Sequence, residues 1–143
     1  MQPKRSSGRT GRAAACAYGV ASKSADKKTT AATARSPDAV WPLCFECQLK
    51  TGNAGQVVGL GLDIPDAPMQ NNRKRAPRLA EPSEKPPGEW NTYEIFCRGD
   101  TIECSVNGVP QNRVGKLPVS AGAIALQLEG FPIEFRNVWL EPL

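Results

Sequence analysis

Between Asn91 and Val114 the chain alternates apolar and polar residues through Tyr93, Ile95 and Cys97, turns at Arg98-Gly99-Asp100-Thr101, and alternates back through Ile102, Cys104 and Val106 to Asn107-Gly108. A period of two sends successive side chains to opposite faces of a strand, and an Asn-Gly pair between two such runs supplies the positive φ angles of a type I′ hairpin. The stretch predicts a three-stranded antiparallel meander. Composition points the same way: 13 glycines and 13 prolines leave little room for long helices, because an interior proline removes a donor and clashes with the preceding turn. At 143 residues the chain is sized for one core. The Arg98-Gly99-Asp100 tripeptide of integrin ligands is here explained by its place at a hairpin tip.

Further strands follow from the same period. Leu43, Phe45, Cys47 and Leu49 form one face of a first strand, and Cys44, Glu46, Gln48 and Lys50 the other. Thr51 to Gly55 is a turn, and Val57 to Leu62 reads as a second, more buried strand. Asp63 to Gly88 is proline-rich and contains Asn71-Asn72-Arg73-Lys74-Arg75, so it is expected to run over the surface as a long loop. No aromatic residue interleaves that basic run, which favours a solvated loop over an anion grip. Ile124, Leu126 and Leu128 share one strand face, and Ala125, Gln127 and Glu129 the other. A closing strand, Pro132 to Leu140, turns Ile133 and Phe135 inward; Val138 and Leu140 regain that face only across a bulge near Arg136-Asn137. The expectation is an all-β antiparallel sandwich burying Leu43, Phe45, Leu49, Tyr93, Ile95, Ile102, Val106, Leu126, Leu128, Ile133 and Phe135.

The net charge of +4 joins two unlike pieces. Residues 1–36 hold eight Lys and Arg against Asp26 alone, whereas residues 37–143 hold 10 basic and 13 acidic side chains. The globular part is therefore mildly acidic, which argues against nucleic acid as its partner. Residues 1–36 are expected to form a disordered basic tail rich in Ala, Ser, Thr and Arg, with the sandwich over 37–143. No apolar window is long enough to span a membrane, and Ala13 to Ala21 is too weakly apolar for an intact signal peptide. With no histidine, Ser-His-Asp and Cys-His nucleophiles and histidine metal ligation are excluded. Cys44 and Cys47 have metal-ligand spacing but fall on opposite strand faces, so Cys44, Cys47, Cys97 and Cys104 are read as buried small hydrophobes.

The run Ser83-Glu84-Lys85-Pro86-Pro87-Gly88-Glu89-Trp90-Asn91-Thr92-Tyr93-Glu94-Ile95 carries a resemblance. Together with Gly99 to Ile102, Val106-Asn107-Gly108, Leu126-Gln127 to Glu129-Gly130 and Ile133 to Val138, it resembles the 3-keto-disaccharide hydrolase domain family. Val40-Trp41-Pro42, Glu46 to Leu49 and Gly52 to Gly55 extend the likeness, which runs from about Asp38 to Leu143. The resemblance implies a concanavalin-like jelly roll, a bacterial source, a periplasmic or extracellular location, and cleavage of glycosides oxidised at C3 of the sugar. It also implies N-terminal strands with a Gly-Asn-Ser-Gly segment that residues 1–36 do not contain. The sandwich is accordingly expected to be incomplete and to self-associate through uncovered strands; a misread frame, a truncated start and a divergent extension all stay open.

Sugar sites in jelly rolls usually occupy the concave sheet, on residues that alternate away from the core. Glu46, Gln48 and Lys50 on one strand and Gln127 and Glu129 on another have this alternation. In a 3-keto glycoside the ketone acidifies the C2 proton, so the resemblance implies base abstraction, loss of the glycosidic oxygen and later addition of water. Glu46 is the expected base and Glu129 the acid or a metal ligand, although many relatives carry His at the latter place. Arg136 is the expected electrostatic partner of the enolate, and Gln48, Lys50, Gln127 and Asn91 the substrate contacts. A divalent metal stays open as a cofactor. A non-catalytic carbohydrate-binding module and an inactive remnant are the alternatives; the former needs an exposed aromatic platform, for which Trp90, Tyr93 and Trp139 are candidates.

Overall fold

The computed structural model describes residues 20–22, 29–33, 43–127 and 133–141. In chain order its strands are β1 (Val20–Ser22), β2 (Thr29–Thr33), β3 (Leu43–Cys47), β4 (Val57–Leu60), β5 (Met69–Gln70), β6 (Arg73–Ala76), β7 (Asn91–Arg98), β8 (Thr101–Val106), β9 (Val109–Val114), β10 (Ala123–Leu126) and β11 (Phe135–Arg136). There is no helix among the described residues. A five-stranded sheet has the order β11-β1-β7-β8-β9 and a six-stranded sheet the order β10-β2-β3-β4-β6-β5, with every pairing antiparallel. The protein is an all-β sandwich.

The meander lies where the alternation puts it. Arg98 pairs with Thr101 across Gly99-Asp100, and Val106 pairs with Val109 across Asn107 and Gly108, whose φ angles of 51° and 79° make the two-residue turn. A register shift at Cys104 and Ser105 lets both Gln111 and Asn112 of β9 be buried. Gln111 donates to Glu81 O and Ser83 Oγ, and Asn112 to Ala76 O and Pro77 O, fastening the 76–83 chain to this edge.

Three features differ from expectation. The stretch Asp63 to Gly88 is not all loop: Asn71 and Asn72, with φ of 50° and 57°, turn β5 into β6, because asparagine enters the left-handed region more readily than other residues with a Cβ. Secondly, β1 and β2 come from within residues 1–36. Each is an interior strand, β1 between β11 and β7 and β2 between β10 and β3, since ladder hydrogen bonds need only backbone. The expectation of a disordered tail does not describe these two segments, and the remainder of 1–36 lies outside the described residues. Thirdly, Leu126, Val138 and Leu140 are exposed. Leu126 ends an edge strand, and the backbone after β11 passes through Asn137 at φ 52°, the bend expected there, without returning Val138 and Leu140 to the core.

The inter-sheet core gathers Phe45, Cys47, Leu49 and Val57 against Tyr93, Ile95, Ile102, Cys104 and Val106, with Phe135 packed at its margin. Leu43 and Ile133 are half-buried, and Leu128 lies outside the described residues. Gly59 lets the chain fold back on itself after β4, since a Cβ there would strike the Leu62 carbonyl oxygen. Gly55, at φ 89°, closes the turn after β3 against the Gln111 side chain.

Candidate functional site

The six-stranded sheet is buried on its second face as well. Cys44, Val58 and Leu60 form a separate apolar cluster, and Glu46 pairs in register with Val58, so its side chain points away from the inter-sheet core as the alternation requires. That face is not open at this point: Glu46 is 0% and Gln48 2% exposed. Cys44 and Cys47 do fall on opposite faces.

The pairing registers set one row of residues across this sheet. Ala125, Thr30, Glu46, Val58 and Arg75 are successive partners from β10 to β6. One step along, Gln48 N donates to Gln56 O at 2.9 Å, setting these two glutamines opposite each other, and Gln127 continues β10 at the same level. Arg75 Nη1 donates to Gln56 Oε1 at 3.3 Å. Arg73, two residues before Arg75 on β6, shares the face by alternation. The Cys44 thiol senses both charges: burial first, then the Glu46 carboxylate, push it up to about 12, and the Arg73 guanidinium opposes them.

Gln48 Oε1 is buried and has no hydrogen-bond partner among the described residues. An unsatisfied amide oxygen in the interior costs stability. Arg73 and Arg75 form no ion pair within the described residues, whereas Lys74, on the other face, donates to Ala67 O at 3.0 Å and lies 3.6 Å from Asp63.

Glu46, Gln48 and Gln127 are therefore brought to one face, and the structure adds Gln56, Arg73 and Arg75. The sequence signal for the two arginines was present, because Arg73-Lys74-Arg75 alternates behind an Asn-Asn pair that can take a tight turn. Lys50 lies beyond β3 at the start of the turn and is exposed. Glu129 lies outside the described residues. Arg136 is not near Glu46: it is on β11 of the other sheet, in register with Ala21 and Thr92 on that sheet's outer face. Its guanidinium stacks 3.9 Å from the centroid of Trp90. Asn91 sits at the start of β7, also in the other sheet, with its carboxamide hydrogen-bonded to the loop before it. Tyr93 is in the core, where it offers no platform.

The six-stranded sheet thus carries Glu46, Gln48, Gln56, Arg73 and Arg75 on one face. Residues 16–141 match the 3-keto-alpha-glucoside-1,2-lyase-like domain, and the chain belongs to that family. The match begins within residues 1–36, ahead of β1 and β2. No curated protein and no solved structure matches the chain.

Proposed function

We propose that the domain cleaves 3-keto glycosides by elimination, with Glu46 as the base, and that water then adds to give net hydrolysis. The observation carrying this reading is the buried Glu46 carboxylate beside the unpartnered Gln48 Oε1, on a sheet face rimmed by Arg73 and Arg75. In the reaction Glu46 takes the proton from C2, the electron pair moves to form the enolate of the C3 ketone, and the C1–O bond breaks as the enolate collapses. The leaving oxygen needs a proton, a role that the family resemblance gives to Glu129. Arg73 and Arg75, in place of Arg136, are cations on Glu46's face of the sheet and are assigned to the enolate oxygen. Gln48, Gln56 and Gln127 have the donors and acceptors that sugar hydroxyls require.

Among the described residues no group of three or more Asp, Glu, Cys or His side chains gathers to hold a metal. The test is cleavage of a 3-keto glucoside beside the unoxidised parent sugar. Glu46→Gln keeps size and hydrogen bonding but cannot accept the proton, and should lower turnover by about 10²-fold or more. Deuterium at C2 should slow the unmodified protein where proton transfer limits the rate. Equal turnover by Glu46→Gln moves the base elsewhere; sugar binding without cleavage supports a binding module instead.

A further inference from the structure

On β7 the core takes Tyr93, Ile95 and Cys97, so the alternation turns Phe96 and Arg98 to the outer face of the five-stranded sheet, about 7 Å apart along the strand. Phe96 is exposed there. Register builds the rest of the patch: Phe96 lies opposite Glu103 of β8, Glu103 opposite Arg113 of β9, and Arg98 opposite Thr101. These five side chains line a hollow of about 270 Å³, on a different sheet from Glu46. Its charges are unequal. Arg113 Nε lies 3.3 Å from Glu103 Oε1, whereas Arg98 forms no ion pair among the described residues. Two guanidiniums thus meet one carboxylate, and the uncompensated charge is at Arg98. Glu94, the next outward residue toward the start of β7, accepts from Ser105 Oγ at 3.0 Å, so the carboxylate on the far side of Phe96 is already engaged.

We propose that this hollow binds a sugar acid, the uronate unit of an acidic carbohydrate, with its ring on Phe96 and its carboxylate on Arg98. The negative face of the Phe96 ring attracts the C–H bonds that line one side of a pyranose. The planar guanidinium of Arg98 can donate two parallel hydrogen bonds to a carboxylate, which fixes the ligand's direction: carboxylate toward the β7–β8 turn, hydroxyls toward Glu103 and β9. Glu103 sets the requirement for hydroxyls. Its Oε1 is engaged by Arg113, so Oε2 needs a donor from the ligand, and an anion without hydroxyls would meet that oxygen with like charge. Thr101 Oγ1, which donates to Asp100 Oδ1 at 3.4 Å, has lone pairs for a second hydroxyl. An aromatic carboxylate would stack on Phe96 but supplies neither donor. The choice of a sugar rests in addition on the carbohydrate-related family of the chain, and not on Glu46 being a base. Binding on this face is independent of cleavage on the other sheet.

The test titrates the full chain with glucuronate, glucose, acetate and benzoate, followed by two-dimensional NMR of the backbone amides. Glucuronate should bind about tenfold more tightly than glucose or acetate, and more weakly as sodium chloride is raised. The shift changes should centre on Phe96, Arg98, Glu103 and Arg113. Arg98→Gln should lower glucuronate affinity by about tenfold and leave glucose unchanged, whereas Phe96→Ala should weaken both by about threefold or more. Both positions are exposed, so neither change should move the melting temperature much. Glucose binding as tightly as glucuronate would show that charge plays no part, equal binding of acetate would show a bare anion site, and tighter binding of benzoate an aromatic-acid site. Each of these overturns the proposal, as does a failure of glucuronate to bind or shift changes centred on Glu46 and Arg75 instead. If Phe96→Ala does not fold, the ranking of the four ligands on the unmodified chain still decides.

Discussion

Asn107 donates through Nδ2 to Asn91 Oδ1 at 2.8 Å, tying the type I′ turn of the meander to the loop that precedes it. The same Nδ2 donates to Ser83 O at 2.7 Å, and Asn107 Oδ1 accepts from Thr92 N at 2.9 Å. Asn91 Oδ1 also accepts from Lys85 N at 2.7 Å. Asn91 therefore holds the 83–91 loop in place. Asn107→Ala should cost about 2–3 kcal/mol of stability and Asn91→Ala about 1–2 kcal/mol, because Asn107 loses two half-buried hydrogen bonds and one exposed one, and Asn91 one half-buried and two exposed. Urea unfolding measures both, and the KM for a keto glycoside should move by no more than about twofold in either variant.

Gln48→Met separates binding from folding. Replacing a buried, unpartnered amide by an apolar side chain of similar shape removes a desolvation cost, so the melting temperature should hold or rise. Affinity for the sugar should fall by about tenfold, the size of one lost hydrogen bond. A large drop in melting temperature would mean that Gln48 stabilises the fold.

Arg73→Gln and Arg75→Gln should each reduce kcat/KM on a 3-keto glucoside by about tenfold or more, through the loss of charge beside the developing enolate. Arg136→Gln, on the opposite outer face, should stay within about twofold of the unmodified protein. The reverse ranking would move the site to the five-stranded sheet.

Stability should fall in alkali. The Cys44 thiol rises from 9.0 to about 12 on folding, so the folded state favours the protonated form. Its contribution is fully present below pH 9 and is lost as pH rises from about 9 through about 12. Cys47 and Tyr93, also pushed up, mainly by the Cys104 contact and by burial respectively, act in the same direction. Cys44→Val should flatten part of the decline in melting temperature between pH 8.5 and 10.5, a window flanking the ordinary thiol value.

The meander, the two-faced strand β3, the turn at Gly52 to Gly55 and the separation of Cys44 from Cys47 were all legible in the amino-acid sequence. Each depends on period-two alternation or on a residue that accepts positive φ, and both are properties of a few neighbouring positions. What alternation cannot tell is which face of a strand will be covered. Glu46 and Gln48 alternate off the inter-sheet core as expected, yet both are buried, because burial depends on what packs over the sheet. Strand order likewise required the tertiary structure: it lays Arg75 two strands from Glu46 and sends Arg136 to the other sheet. Val20–Ser22 and Thr29–Thr33 carry little large apolar surface, so no local pattern announces them; only the backbone ladders of β7, β11, β3 and β10 define them as strands. Sequence determined the elements and their faces, whereas the placing of Glu46, Arg73 and Arg75 on one face of the six-stranded sheet came from pairing between distant segments, which short-range periodicity does not encode.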